Sequence, residues 1–253
     1  MKDSERNEEV REIQRMWDEK IKAAIFDADG TLLDSMPVWN DIGELYLKSI
    51  GLTAREGLGE TLHTMSLEQG AAYLKKEYRL EKQIPEIVGD VLKIVADFYR
   101  LEAPLKPGVK ETLEWLKHRQ VKMAVATSGN RELIEAALER NGVLGYFGKI
   151  FTCTETGAGK DDPLIYLEAA QFLESRPDET LVFEDAFHAA ETAKKAGFTV
   201  FGVYDDSNRE NLSRMKELCD FYFDRMDIWL EDFPEKSEKN KIKNGDRALL
   251  IYG

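Results

Sequence analysis

The chain is poor in cysteine, in histidine and in long apolar runs, and its 35 lysines and arginines are outnumbered by 48 acidic residues. Of its 253 residues only two are cysteines, Cys153 and Cys219, far apart and in unrelated contexts. That is too few for a disulfide framework, and neither sits in a Cys-x-x-Cys pair, so both read as ordinary thiols in a reducing compartment. The three histidines, His63, His118 and His188, show no metal-ligand spacing and read as surface or structural residues. No apolar run approaches the length of a membrane span, and the first twenty residues are charged where a signal peptide needs an apolar stretch. The expectation is a cytoplasmic protein with no membrane partner. The net charge is −13. Such a surface repels nucleic-acid phosphates, which argues against DNA or RNA as a partner. It also requires that any phosphate-binding site bring its own local cations.

Hydrophobic residues make up 43% of the chain and charged residues 33%, the balance of a packed globular core. The length suits one α/β core carrying an insertion. Residues 23–26 form a short apolar run ending in Asp27, Asp29 and Gly30, the pattern of a buried parallel strand entering a turn. From Pro37 to about Pro104 the periodicity is helical, with helices predicted over 36–50, 67–78 and 84–101 and no strand between them. After Pro107-Gly108, strands predicted at 121–127, 149–154, 180–185, 198–204 and 220–224 alternate with helices at 109–119, 130–142, 163–175, 186–197 and 208–219. Alternation of this kind predicts an α/β fold, a Rossmann-like parallel sheet. The chain divides accordingly into an N-terminal extension (1–20, with Val10, Ile13 and Trp17 at helical spacing), a Rossmann-like core (21–35 and 105–230), an inserted helical-bundle cap (36–104) and a tail (231–253) expected to be polar and partly disordered.

The ends of four predicted strands carry the chemistry. The first runs into Asp27-Ala28-Asp29-Gly30-Thr31 and the second into Thr127-Ser128-Gly129-Asn130. The third leads to Gly159-Lys160 and the fourth ends in Glu184-Asp185. Ligands of open parallel sheets bind at this edge. A carboxylate such as Asp27 can attack phosphorus and split one hard step into two easier ones. A second carboxylate two residues on, Asp29, can act as general acid and then base. A hard divalent cation held by Asp27, Asp185 and Glu184 offsets the repulsion between carboxylates and a phosphate dianion. Lys160 adds local positive charge, and Thr127 and Ser128 offer a hydroxyl and N–H groups to phosphate oxygens. Gly157-Ala158-Gly159-Lys160 imitates the end of a P-loop, but Thr154 and Asp161 stand where that motif needs Gly and Ser or Thr.

The segment Phe26-Asp27-Ala28-Asp29-Gly30-Thr31-Leu32-Leu33-Asp34-Ser35 resembles the first motif of the haloacid dehalogenase superfamily. Thr127, Lys160 (with Pro163 and Tyr166 after it) and Glu184-Asp185 resemble the second, third and fourth motifs, in order. The resemblance covers roughly residues 22–225 and is strongest to the beta-phosphoglucomutase-like phosphatases. It implies Asp27 as nucleophile and metal ligand, and Asp29 as acid/base and a ligand through its main-chain carbonyl. Thr127 and Lys160 would hold the phosphoryl group, and Glu184 and Asp185 would complete a Mg²⁺ site. Sugar-phosphate mutases of this group carry a His where Trp39 stands and a cap Arg where Leu67 stands. Their absence favours hydrolysis of a small phosphorylated metabolite, with a phosphosugar mutase as the alternative and Trp39 as a candidate specificity residue. A metal-free dehalogenase would lack Asp29. Ala186 and Ala189 replace the usual small Ser and Gly of the fourth motif, and Asp161 beside Lys160 is a further departure. Two short connections flanked by prolines, near 34–37 and 103–107, predict that the cap moves as one body.

Overall fold

The computed structural model describes residues 20–62 and 65–227. The predicted N-terminal helix, His63 and the tail from residue 231 lie outside the described residues. Strand β1 (Ala23–Phe26) has no exposed surface at any of its four residues. It is buried because it lies inside a six-stranded sheet ordered β3-β2-β1-β4-β5-β6, in which every pairing is parallel. The other strands are β2 (Lys122–Thr127), β3 (Ile150–Thr152), β4 (Thr180–Glu184), β5 (Thr199–Val203) and β6 (Phe221–Phe223). This is the Rossmann-like α/β class that the alternating pattern predicts. The strand order reverses across β1, so a crevice opens where the chains leaving β1 and β4 diverge.

Successive side chains of β1 go to opposite faces, as strand geometry demands. Ala24 and Phe26 join one apolar cluster with Leu113 of α5 (Val109–His118) and Ile134 and Leu138 of α6 (Arg131–Arg140). Ala23 and Ile25 join another with Ile165 and Ala169 of α8 (Leu164–Phe172), Ala193 of α9 (Phe187–Lys195) and Met215 of α10 (Leu212–Leu218). Aromatic burial holds the centre. The Phe26 and Phe183 rings stack with centroids 4.4 Å apart, and Phe201 meets Phe183 edge-on.

Four helices fill the stretch between β1 and α5: α1 (Met36–Ser49), α2 (Leu58–Leu62), α3 (Leu67–Glu77) and α4 (Ile84–Leu101). Pro37 opens α1, where a missing N–H costs nothing. Ser66 and Gln69 form a reciprocal capping box at the start of α3. The short α2, flanked by Gly57 and carrying Gly59, is absent from the sequence prediction because its five residues hold too little apolar periodicity. Helix α4 packs on α1 and α3 and also on α6 of the sheet layer, so one apolar cluster runs from the insertion to the sheet. The two connecting segments bind each other: Asp34 N–H donates to Pro104 O and Lys106 N–H to Leu32 O, both at 3.0 Å.

Several predicted elements are shorter in the structure, and in two of them a side-chain cap sets the boundary. Strand β3 stops at Thr152, whose hydroxyl accepts from Glu155 N–H at 3.3 Å and starts the single-turn helix α7 (Cys153–Thr156). The helix predicted from 208 begins only at Leu212. Asp205 holds the preceding residues in a 3₁₀ turn by accepting from Ser207 N–H (3.0 Å) and Ser207 Oγ (2.6 Å). Among the described residues no helix is long and apolar enough to cross a membrane.

Candidate active site

Phe26 and Phe183 are register partners on adjacent strands, so the residues that follow them, Asp27 and Glu184, emerge side by side at the crevice. Asp185 comes next. One carboxylate oxygen from each of these three lies within 4.8 Å of the others, and all three residues are buried. The chain between α7 and α8 brings Lys160 into the same space. Its ammonium donates to Asp27 Oδ1 and, at 2.5 Å, to Glu184 Oε1. Tyr166 on α8 donates its phenol to the same Glu184 oxygen at 2.7 Å. Asp185 accepts from Asn208 Nδ2 at 2.7 Å on one oxygen and from Thr31 Oγ1 at 3.3 Å on the other. Gly30 turns the chain between Asp29 and Thr31 at φ +84°, and a Cβ there would lie 2.5 Å from Asp185 Oδ2.

Three buried carboxylates face one buried ammonium, and the charge does not balance. Burial is the largest influence on Asp27 and lifts its carboxyl well above the usual range. Lys160 opposes the shift, while Glu184, Asp185 and Asp29 add to it. Asp185 is pushed up to about 7 by burial first, then by Glu184 and Asp205. Burial disfavours the Lys160 ammonium, but the Asp27 and Glu184 carboxylates outweigh that and raise its pKa. One oxygen of the cluster, Glu184 Oε2, is buried with no hydrogen-bond partner. An orphaned carboxylate oxygen within an all-oxygen cluster of excess negative charge fits a hard divalent cation. Asp27, Glu184 and Asp185 are the side chains that would hold it.

Asp29 stands outside this cluster and is only half-buried. Its Oδ1 accepts from Ser35 Oγ and from the Tyr99 phenol, both at 2.6 Å. Tyr99 belongs to the last turn of α4, so the inserted helices touch the chemistry directly through it. Burial and then the Asp29 charge raise the Tyr99 pKa. On the far side, a Cβ on Gly129 would lie 2.9 Å from Asp29 Oδ2, so only a residue without one leaves that oxygen its space.

The β2 end supplies the remaining wall. Thr127 is buried, and its hydroxyl accepts from Gly129 N–H at 2.9 Å. Ser128 is exposed, with Oγ 3.4 Å from Cys153 Sγ. Asn130 caps α6, as its position predicts, by accepting from Leu133 N–H at 3.2 Å. A cleft of about 640 Å³ opens beside Asp29, and Trp39, Tyr99, Ser128 and Gly129 line it. Trp39 keeps 38% of its surface exposed there. Leu67 is not among the residues of this cleft. It lines a second cavity of about 270 Å³, with Leu74 and Val91 of the helical insertion and Ser207 from beyond it.

The structure thus gathers Asp27, Lys160, Glu184 and Asp185 into one buried cluster, sets Asp29 beside them, and places Thr127, Ser128 and Trp39 around the opening. His188 and His118 are exposed, as expected. Sequence reasoning missed Tyr99 and Asn208. Neither carries a local signal, since Tyr99 meets Asp29 across 70 residues of chain and Asn208 meets Asp185 across 23.

The sequence profile of the haloacid dehalogenase-like hydrolases matches residues 21–197. A phosphorylated carbohydrates phosphatase from Thermotoga maritima is 30% identical over 203 residues, which cover 74% of this chain and 88% of that protein. A phosphoglycolate phosphatase from Nitrosococcus oceani is 26% identical across 70% of this chain and 80% of that protein. The crystal structure of a beta-phosphoglucomutase candidate from Thermotoga maritima superimposes with a TM-score of 0.74 at 25% identity, covering 83% of this chain and 98% of that one.

Proposed function

This chain belongs to the haloacid dehalogenase-like hydrolases, and from that membership we propose that it is a Mg²⁺-dependent phosphatase of small phosphorylated metabolites that works through an aspartyl-phosphate on Asp27. The observation that carries the reading is the cluster of Asp27, Glu184 and Asp185 around Lys160, with one orphaned carboxylate oxygen. Asp27 Oδ attacks phosphorus, and the bond from phosphorus to the ester oxygen breaks. The Asp29 carboxyl gives its proton to the departing oxygen. Asp29, now a carboxylate, takes a proton from water, and the oxygen of that water attacks the phosphorus of the aspartyl-phosphate. The P–O bond to Asp27 breaks, phosphate leaves and both carboxyl groups are restored.

Lys160 and the Thr127–Gly129 turn hold the phosphoryl oxygens as charge shifts among them. A bound divalent cation supplies positive charge against the repulsion between the phosphate and these carboxylates. The helices from 36 to 104 act as the cap, and Tyr99 and Trp39 close the cleft from that side, where exclusion of water strengthens the charge interactions.

Transfer to water rather than to a second hydroxyl is supported by Trp39 and Leu67, which stand where mutases of this group carry His and Arg. The test uses a hexose 1-phosphate with catalytic hexose bisphosphate, following free phosphate and the isomeric 6-phosphate together. Phosphate release that needs Mg²⁺ and is lost in Asp27→Asn supports the reading. Rapid isomer formation without phosphate release overturns it in favour of a mutase.

A further inference from the structure

Five residues of α4 line the cleft beside Asp29: Leu92, Val95, Ala96, Tyr99 and Arg100. Their spacing, i, i+3, i+4, i+7 and i+8, is one continuous face of a helix. One member, Tyr99, is anchored to Asp29. Its neighbour on the stripe, Arg100, is the only Lys or Arg among the residues lining the cleft. It is exposed, and among the described residues it pairs with no other side chain. The contrast with Arg131, one wall away, is direct: Arg131 is committed to Glu135 and Glu155.

The rest of the cleft is largely apolar. Trp39 and Leu92 keep 38% and 45% of their surface exposed in it, and Leu133 faces them from α6. In a chain of net charge −13, an uncommitted guanidinium at a largely apolar cleft is free to accept an anion as its partner.

We propose that Arg100 is a specificity-determining residue that binds a second anionic group, a carboxylate or another phosphate, on the leaving alcohol of the substrate, while Trp39 and Leu92 cover its apolar body. This deepens the phosphatase reading and rests on it. Leu67 on α3 stands where mutases of this group carry their cap Arg, whereas Arg100 offers its charge from α4, on a different wall.

Arg100 also sits in the last turn of α4, where a cation complements the helix dipole. That role affects stability but does not discriminate between substrates. Glu132 lines the opposite wall of the cleft and opposes an anion there, so its charge limits the preference Arg100 creates.

The test compares carboxyphenyl phosphate, in meta and para isomers, with the corresponding methyl esters, which share the ring but lack the second charge. The wild-type enzyme should favour at least one acid over its ester in kcat/KM by about tenfold, the scale of a charge-assisted hydrogen bond. The preference should appear mainly in KM. Arg100→Met should abolish it while leaving the ester's kcat/KM within about twofold. Glu132→Gln should enlarge it. No preference in either isomer, or a preference that survives in Arg100→Met, overturns the proposal. Turnover of neither the acids nor the esters overturns the phosphatase reading instead, so the two failures are distinguishable.

Discussion

Asp27 and Asp29 are two residues apart and meet opposite surroundings. Asp27 is held by Lys160 among other carboxylates, whereas Asp29 is held by two neutral hydroxyl donors, Ser35 and Tyr99. The division fits a nucleophile fixed against the phosphoryl group and an acid/base that must reach the leaving oxygen. Asp27→Asn is expected to abolish turnover with the fold retained, since the amide keeps the shape and loses the attacking oxygen. A fluoride-based phosphate mimic should bind with its central atom against the Asp27 carboxylate, and a crystal placing it on another side chain would reject the assignment. Asp29→Asn should slow turnover by roughly 10²–10⁴-fold, the usual share of general acid–base catalysis. Tyr99→Phe removes one of the two donors that orient Asp29. It should change the pH profile of kcat while KM stays near its wild-type value. A KM effect alone would mean that Tyr99 serves substrate binding rather than the orientation of Asp29.

The elements around the site explain what the sequence makes legible. Four chemical residues follow directly from strand ends, because a parallel sheet delivers every strand's carboxyl end to one edge. Asp27, Thr127, Glu184 and Asp185 are therefore readable once the alternation of strand and helix is recognised. Lys160 is readable only through its motif, since a one-turn helix and a loop separate it from β3. Tyr99, Asn208 and Arg100 are not readable in this way. Tyr99 meets Asp29 across 70 residues of chain and Asn208 meets Asp185 across 23, contacts set by how helices pack rather than by any local pattern. The shortened β3 and the late start of α10 have a local cause, side-chain capping by Thr152 and Asp205, which competes with the apolar periodicity. The turn after β1 gives the element-scale prediction. Gly30 combines φ +84° with a close approach to Asp185. Gly30→Ala should cost about 1–3 kcal/mol from backbone strain and should also weaken Mg²⁺ binding by displacing Asp185. Denaturant unfolding and a Mg²⁺ titration measure the two effects. Unchanged metal affinity with lowered stability would mean that Asp185 is not the ligand the cluster implies.

For the whole molecule, the buried carboxylate cluster ties stability to pH, and a cation held there would change that dependence. Without a cation, Asp27 is raised well above 3.8 and Asp185 is raised from 3.8 to about 7. Between those values the folded chain holds protons that the unfolded chain has released. The number of protons bound is then smaller in the unfolded state, so these groups lower stability as pH climbs through that window. A divalent cation held by Asp27, Glu184 and Asp185 would reverse the trend, because it would bind the ionised carboxylates of the folded chain and expel those protons. Chelated protein should therefore lose Tm from these groups as pH rises from about 4 to about 7, against whatever the exposed groups contribute. Mg²⁺ should raise Tm little at about pH 5 and much more at about pH 8. The difference between the two shifts isolates the cluster, since exposed groups act equally with and without the cation. Asp185→Asn removes one titrating ligand and should flatten the dependence of the Mg²⁺ shift on pH while weakening the shift itself. A Mg²⁺-induced shift of the same size at both pH values in the wild-type protein would show that the cation binds away from Asp27, Glu184 and Asp185.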